Sequence, residues 1–210
     1  TAKHRMDRSA PVLSANQGID DVKVGSLPRL LEAVNFAAEK HKCQRRKDPE
    51  ATPYINHPIG VARILSSEAG VSDTIALEAA ILHDTVEDTD TSFEELEAVF
   101  GRPVAQVVQE CSDDKLLPAA ERKRLQILHA PHASVRAKLV KSADKIYNLR
   151  DLERVHPVGW TRDRVDAYFL WSAQVCRGLR GVNANLDRLM AEIFDRHGLT
   201  KVYLAVEDSA

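Results

Sequence analysis

Aromatic residues and glycines are both scarce, 5% of the chain and 9 of its 210 residues. Both shortages argue against an all-β fold, which draws on aromatic side chains in strands and glycine in turns. Cysteine is scarce too. Cys43, Cys111 and Cys176 lie far apart, an odd number without a Cys-x-x-Cys pair. That argues against a disulfide framework or a cysteine zinc site, and fits free thiols in a reducing cytosol. No apolar run approaches the ~20 residues that span a bilayer, and no signal-peptide core is present. The formal net charge is −2, so no global field draws the chain to nucleic acid or to a membrane surface. No stretch alternates with a two-residue period, and there is no internal repeat or low-complexity tract. What is present is 44% hydrophobic and 29% charged, an ordinary balance for one globular domain with a real core.

The pattern predicts an all-α fold. A first helix is expected from Leu27 to Cys43, where Leu30, Leu31, Val34, Ala37, Ala38 and His41 follow a helical stripe. Pro58 suits the first turn of a second helix, to Glu68, and Gly70 ends it. Ser72 or Asp73 then caps a third, Thr74 to Glu87, whose apolar Ile75–Leu82 core marks a buried central helix. Ser92 opens a capping box for a short helix to Phe100. Further helices are expected at 104–111, 119–128, 134–152, 162–179 and 183–197. The domain is thus placed at 26–199, with a disordered extension at 1–25 and a loose tail at 200–210. Acidic residues count against a mitochondrial presequence in the extension, so the expected location is cytoplasmic.

Chemistry concentrates where the apolar helix ends, in His83-Asp84-Thr85-Val86-Glu87-Asp88. A buried imidazole and carboxylate cost several kcal/mol, roughly, unless they pair or bind a metal. Glu87 follows His83 by four residues and Asp88 follows Asp84 by four, so each pair shares a face. His57 precedes a proline at a helix entry, and Asp144 sits among the core-like Val140, Ala143 and Tyr147. Two imidazoles and two carboxylates form a mixed N/O set suited to Mn²⁺, Fe²⁺ or Zn²⁺. The blander reading is a set of unrelated core or surface residues, with Asp144 paired to Lys141 or Lys145.

The ordered motifs Arg45-Arg46-Lys47-Asp48-Pro49, Thr52–Pro58, Ala80–Thr89 and Lys141–Leu149 resemble the HD-domain hydrolases of the RelA/SpoT family, over about Leu30 to Leu199. The stand-alone animal members match best. The resemblance implies that His57, His83, Asp84 and Asp144 hold one divalent ion, typically Mn²⁺. It implies that Glu87 and Asp88 are the catalytic acids. Arg46, Lys47 and Asn148 would lie near the nucleotide. The activity it implies is removal of the 3′-pyrophosphate of (p)ppGpp, a small-molecule purine nucleotide, and animal members are also linked to removal of the 2′-phosphate of NADPH. Trp160, Arg164 and Tyr168, at spacing 4 and 4, are expected to share a face, with Arg164 and Tyr168 reaching the nucleotide.

Two departures stand out: Ala119, where close relatives tend to carry lysine, and Ser142 in place of leucine. Neither belongs to the expected metal set. The expectation is a hydrolase without a synthetase or regulatory region after it, one that degrades its nucleotide and does not make it. The competing readings are an NADPH 2′-phosphatase at the same site and a non-catalytic nucleotide-binding module, and Glu87 and Asp88 speak against the second. A two-iron oxygenase needs further histidines, and only His129 and His132, flanking Pro131, are near. The sequence specifies no oligomeric state.

Overall fold

The computed structural model describes residues 26–205, and these are helical without a named strand. The expected extension at 1–25 and the residues after 205 lie outside the described part. The chain runs through α1 (Leu27–Lys40), α2 (Asn56–Arg63), α3 (Thr74–Leu82), α4 (Thr85–Asp88), α5 (Phe93–Phe100), α6 (Arg102–Cys111), α7 (Ala119–His129), α8 (Val135–Arg154), α9 (Arg162–Leu179), α10 (Ala184–Arg196) and α11 (Thr200–Leu204). A π-turn, Ile64–Glu68, extends α2, and a 3-10 turn, Ala130–His132, follows α7.

Two helices organise the rest. From Ala76 to Leu82 every residue of α3 is buried, Glu78 among otherwise apolar side chains, as befits a central helix. It packs against α1, α2, α6 and α8. The longer α8 touches α2, α3, α6, α9 and α10. Asp73 caps α3 by accepting from the amides of Ile75 and Ala76 at 3.0 and 3.3 Å, while its other oxygen takes Arg136 Nε at 2.7 Å. Ser92, Ser134, Thr161 and Asn183 cap α5, α8, α9 and α10 in the same way.

The expected single helix over 74–87 is corrected by the structure. It breaks at His83-Asp84 and restarts at Thr85. The cause is local competition for carbonyls. The Thr85 hydroxyl donates to Leu82 O at 2.7 Å, and His83 Nδ1 lies 2.9 Å from Ala80 O. Side chains thus take acceptors that a continuing helix would need. Of the tail expected at 200–210, Thr200–Leu204 instead form α11, with Tyr203 buried against Phe194. No helix among the described residues is long and apolar enough to cross a membrane.

Candidate metal centre

Four elements bring the polar residues together. The start of α2 supplies His57, the α3–α4 break supplies His83 and Asp84, α4 supplies Glu87 and Asp88, and α8 supplies Asp144. All six line one cavity of about 490 Å³. The ligand atoms of His57, His83 and Asp144 lie within 4.8 Å of one another. His57 Nε2 is 3.1 Å from Asp144 Oδ1 and 3.4 Å from Asp84 Oδ2. His83 Nε2 is 3.0 Å from Asp84 Oδ2 and 3.8 Å from Asp144 Oδ1. The four side chains named from the sequence therefore converge.

Their orientation is fixed from behind. The Ala80 carbonyl can only accept, so His83 Nδ1 carries a proton and Nε2 is the nitrogen turned toward the acids. That buried Nε2 has no partner in hydrogen-bond geometry. Tyr54 donates its hydroxyl to Asp84 Oδ2 at 2.6 Å. On Asp144, Asn148 Nδ2 donates to Oδ1 at 2.6 Å and Lys145 Nζ to Oδ2 at 2.9 Å. A histidine backed by a carbonyl and a carboxylate backed by fixed donors make a supported ligand set. An orphaned imidazole nitrogen facing two carboxylates fits a divalent cation.

The electrostatics point the same way. Burial alone would depress the His83 pKa, but the charges and hydrogen bonds of Asp84 and Asp144 override it and raise it well above the usual range. Burial alone would raise Asp84 and Asp144. For Asp84 the two histidines win, and for Asp144 Lys145 and the histidines win, so both stay far below ordinary carboxylates. The pocket thus holds both carboxylates charged, with cationic partners beside them. Glu87 differs: burial raises its pKa, and the Asp113 amide, which donates to Oε2 at 3.1 Å, opposes this only partly. Asp88 is tied on both oxygens, by Lys115 Nζ at 2.6 Å and Gln44 Nε2 at 2.9 Å.

Arg46, Lys47, Asn148 and Tyr168 also line the cavity. Arg46 is engaged internally, donating to Asn148 Oδ1 and Asp151 Oδ2 at 2.9 Å each, so it supports Asp144 through Asn148. Trp160 and Tyr168 come together at 5.8 Å between ring centres, as expected. Arg164 does not line the cavity; its guanidinium lies over the Trp160 ring, 4.3 Å from its centre. Sequence reasoning missed Tyr54, Gln44 and Lys115 as parts of the site, and offered Lys145 only as a partner for Asp144 in the blander reading, the pair that forms here at 2.9 Å. Tyr54 sits three residues before His57 and Lys145 directly follows Asp144, so proximity to a ligand was the available signal.

The comparisons agree with this geometry. The HD-domain family pattern matches residues 33–166. The chain is 62% identical over 81% of its length, and 95% of the relative's, to the guanosine-3′,5′-bis(diphosphate) 3′-pyrophosphohydrolase MESH1 of Xenopus tropicalis. It is 60% identical, over 82% of its length and 96% of the relative's, to the protein of the same name from Homo sapiens. A solved structure, described as a metazoan orthologue of SpoT that hydrolyses ppGpp, superposes with a TM-score of 0.81 at 53% identity, covering 83% of this chain and 98% of that one. A matching family pattern, near-full-length relatives and a shared helical framework around one His/His/Asp cluster leave a single assignment: the chain belongs to the HD-domain family, in the branch of the animal SpoT homologues.

Proposed function

We propose that this chain is a divalent-metal-dependent hydrolase that removes the 3′-pyrophosphate of ppGpp, giving GDP and pyrophosphate. The observation that carries the reading is the convergence of His57, His83, Asp84 and Asp144 on one point, beside Glu87 and at the wall of a cavity that also holds Arg46 and Lys47. The relatives' names supply the substrate.

His57, His83, Asp84 and Asp144 would hold the ion, and the mixed N/O donors suit Mn²⁺, with Zn²⁺ or Fe²⁺ as alternatives. A divalent ion there acidifies a water and neutralises charge on the phosphoryl oxygens. The remaining work falls to the protein. Glu87 is raised by burial, so its carboxylate is a stronger base than a solvated one and accepts a proton from the attacking water. The water oxygen bonds to the phosphorus carried on the ribose 3′-oxygen. The bond between that phosphorus and O3′ breaks, and O3′ leaves as the hydroxyl of GDP, taking up a proton in exchange for the one that Glu87 accepted. Asp88 anchors Lys115 and Gln44 rather than offering a free oxygen, and so shapes the rim. Lys47 and Tyr168 present a cation and an aromatic face to the nucleoside side.

The test is direct. Protein loaded with Mn²⁺ is expected to release equimolar GDP and pyrophosphate from ppGpp. Metal-loaded protein that binds ppGpp without releasing pyrophosphate is a nucleotide-binding module instead, and the proposal fails.

A further inference from the structure

Along α8, Lys141, Asp144, Asn148 and Asp151 all line the cavity. At about 1.5 Å per residue they form a row roughly 15 Å long. Asp144, in the metal cluster, stands about 4.5 Å along the row from Lys141. Arg46 lies at the Asn148–Asp151 end, and Lys47 follows it on the same loop. Lys141 lies at the opposite end, against the last turn of α6.

The cavity's cations are not equivalent. Arg46 is committed to Asp151, Lys145 to Asp144, and Arg45 Nη1 to the carbonyls of Lys42 and Gln44 at 2.9 Å each. Lys141 is half-buried, yet its ammonium makes a single contact, 3.4 Å to the Cys111 carbonyl. That is long for a hydrogen bond and uses one of three donors. A half-buried ammonium with no carboxylate partner, in a cavity otherwise rich in acids, calls for an anion from outside.

We infer that Lys141 grips the distal phosphate of the substrate's 3′-diphosphate, an anchor that a single phosphate on the same ribose oxygen does not reach. This rests on the function proposed above. With the nucleoside at the Arg46–Lys47 end and the attacked phosphorus at the metal cluster, the rest of the 3′-diphosphate extends toward Lys141. A substrate bearing a single phosphate on the same ribose oxygen ends at the cluster and leaves Lys141 untouched. A charge-assisted hydrogen bond of this kind is worth about tenfold or more in affinity.

The experiment compares Lys141→Met, Lys141→Gln and Lys141→Arg with wild type, all loaded with Mn²⁺. It reads the KM for ppGpp, inhibition by inorganic pyrophosphate, and the inhibition constant of guanosine 5′-diphosphate 3′-monophosphate. The expected result for Met and Gln is a KM raised by about tenfold or more, weakened pyrophosphate inhibition and an unchanged constant for the monophosphate competitor. Arg is expected to restore much of the loss. An unchanged KM overturns the inference and leaves Lys141 as a cap on the α6 terminus, as does an equal loss for both nucleotides. If wild type itself releases no pyrophosphate from ppGpp, the function proposed above is what has failed. Should Met fold poorly by circular dichroism, the Gln and Arg pair carries the same comparison.

Discussion

At the scale of single residues, the two acids after the His-Asp pair separate into different jobs. Glu87 has an oxygen not claimed at hydrogen-bond distance, with Arg122 Nη1 only at 3.8 Å, whereas both oxygens of Asp88 are held. Glu87→Gln is expected to keep the metal and lose turnover by ~10²-fold or more, while Asp88→Asn keeps the larger share of its activity. Metal content and kcat measured on both variants check this, and equal losses would refute the division. Lys145 is the second case. It is 7% exposed, its ammonium holds Asp144 Oδ2, and its far face lies 5.0 Å from the Trp171 ring centre. Lys145→Met is expected to weaken Mn²⁺ binding by roughly 10- to 100-fold, with Lys145→Arg recovering part of it. Calorimetric titration of metal into the two variants decides, since a merely packed lysine would leave the affinity alone. The ligands were legible in the sequence because histidine and aspartate on core-like stretches are costly without a purpose. Tyr54 and Gln44 were not, because their partners lie 30 or more residues away, and for Lys145 the pairing with Asp144 was legible but its burial was not.

At the scale of elements, most helix positions follow from periodicity and caps, and the failures have named causes. No proline or glycine stands at residues 82–86, so a sequence pattern runs straight through the break that Thr85 and His83 impose by taking Leu82 and Ala80 carbonyls. The five-residue α11 is too short to show a period, and only docking of Tyr203 fixes it. The α2–α8 contact depends on a missing side chain. A Cβ on Gly60 would overlap the Tyr147 ring, whose centre lies 4.8 Å from that of His57. Gly60→Ala is therefore expected to cost about 1–3 kcal/mol and to disturb His57 as well. Thermal denaturation and metal titration should fall together, and a variant with native melting and affinity contradicts the close packing. Between α1 and α3, Glu78 is fully buried against Arg29 at 3.3 Å, and burial raises its pKa despite that partner. Arg29 also donates to the carbonyls of Val99 and Phe100, at 3.0 and 2.8 Å, closing the end of α5. Replacing Glu78 by Gln is expected to leave the melting temperature unchanged or higher, whereas Arg29→Ala lowers it.

At the scale of the whole molecule, ion pairs bind distant segments and set the response to acid. Arg150 holds Glu68 of the π-turn, Arg136 holds Asp73 before α3, and Arg196 with His197 holds Glu153 at the end of α8. Hydrogen bonding to Arg150 depresses Glu68; burial opposes the same effect at Asp73 and Glu153 but is outweighed. A carboxylate lowered on folding contributes stability above its unfolded pKa, near 4. That contribution disappears as pH falls through the lower folded value. The melting temperature is expected to drop on acidification from about pH 5 to pH 3, and Arg150→Ala to soften the drop. An identical acid limb in that variant would rule the pair out. The mouth of the cavity carries one further consequence. The Val158 amide donates to Lys47 O at 2.8 Å, and the Arg46 amide to Thr52 O at 2.8 Å, so the basic loop and the stretch leading to α9 are latched together. Solvent should accordingly reach these amides in concert, and a nucleotide entering past one strap must loosen the other.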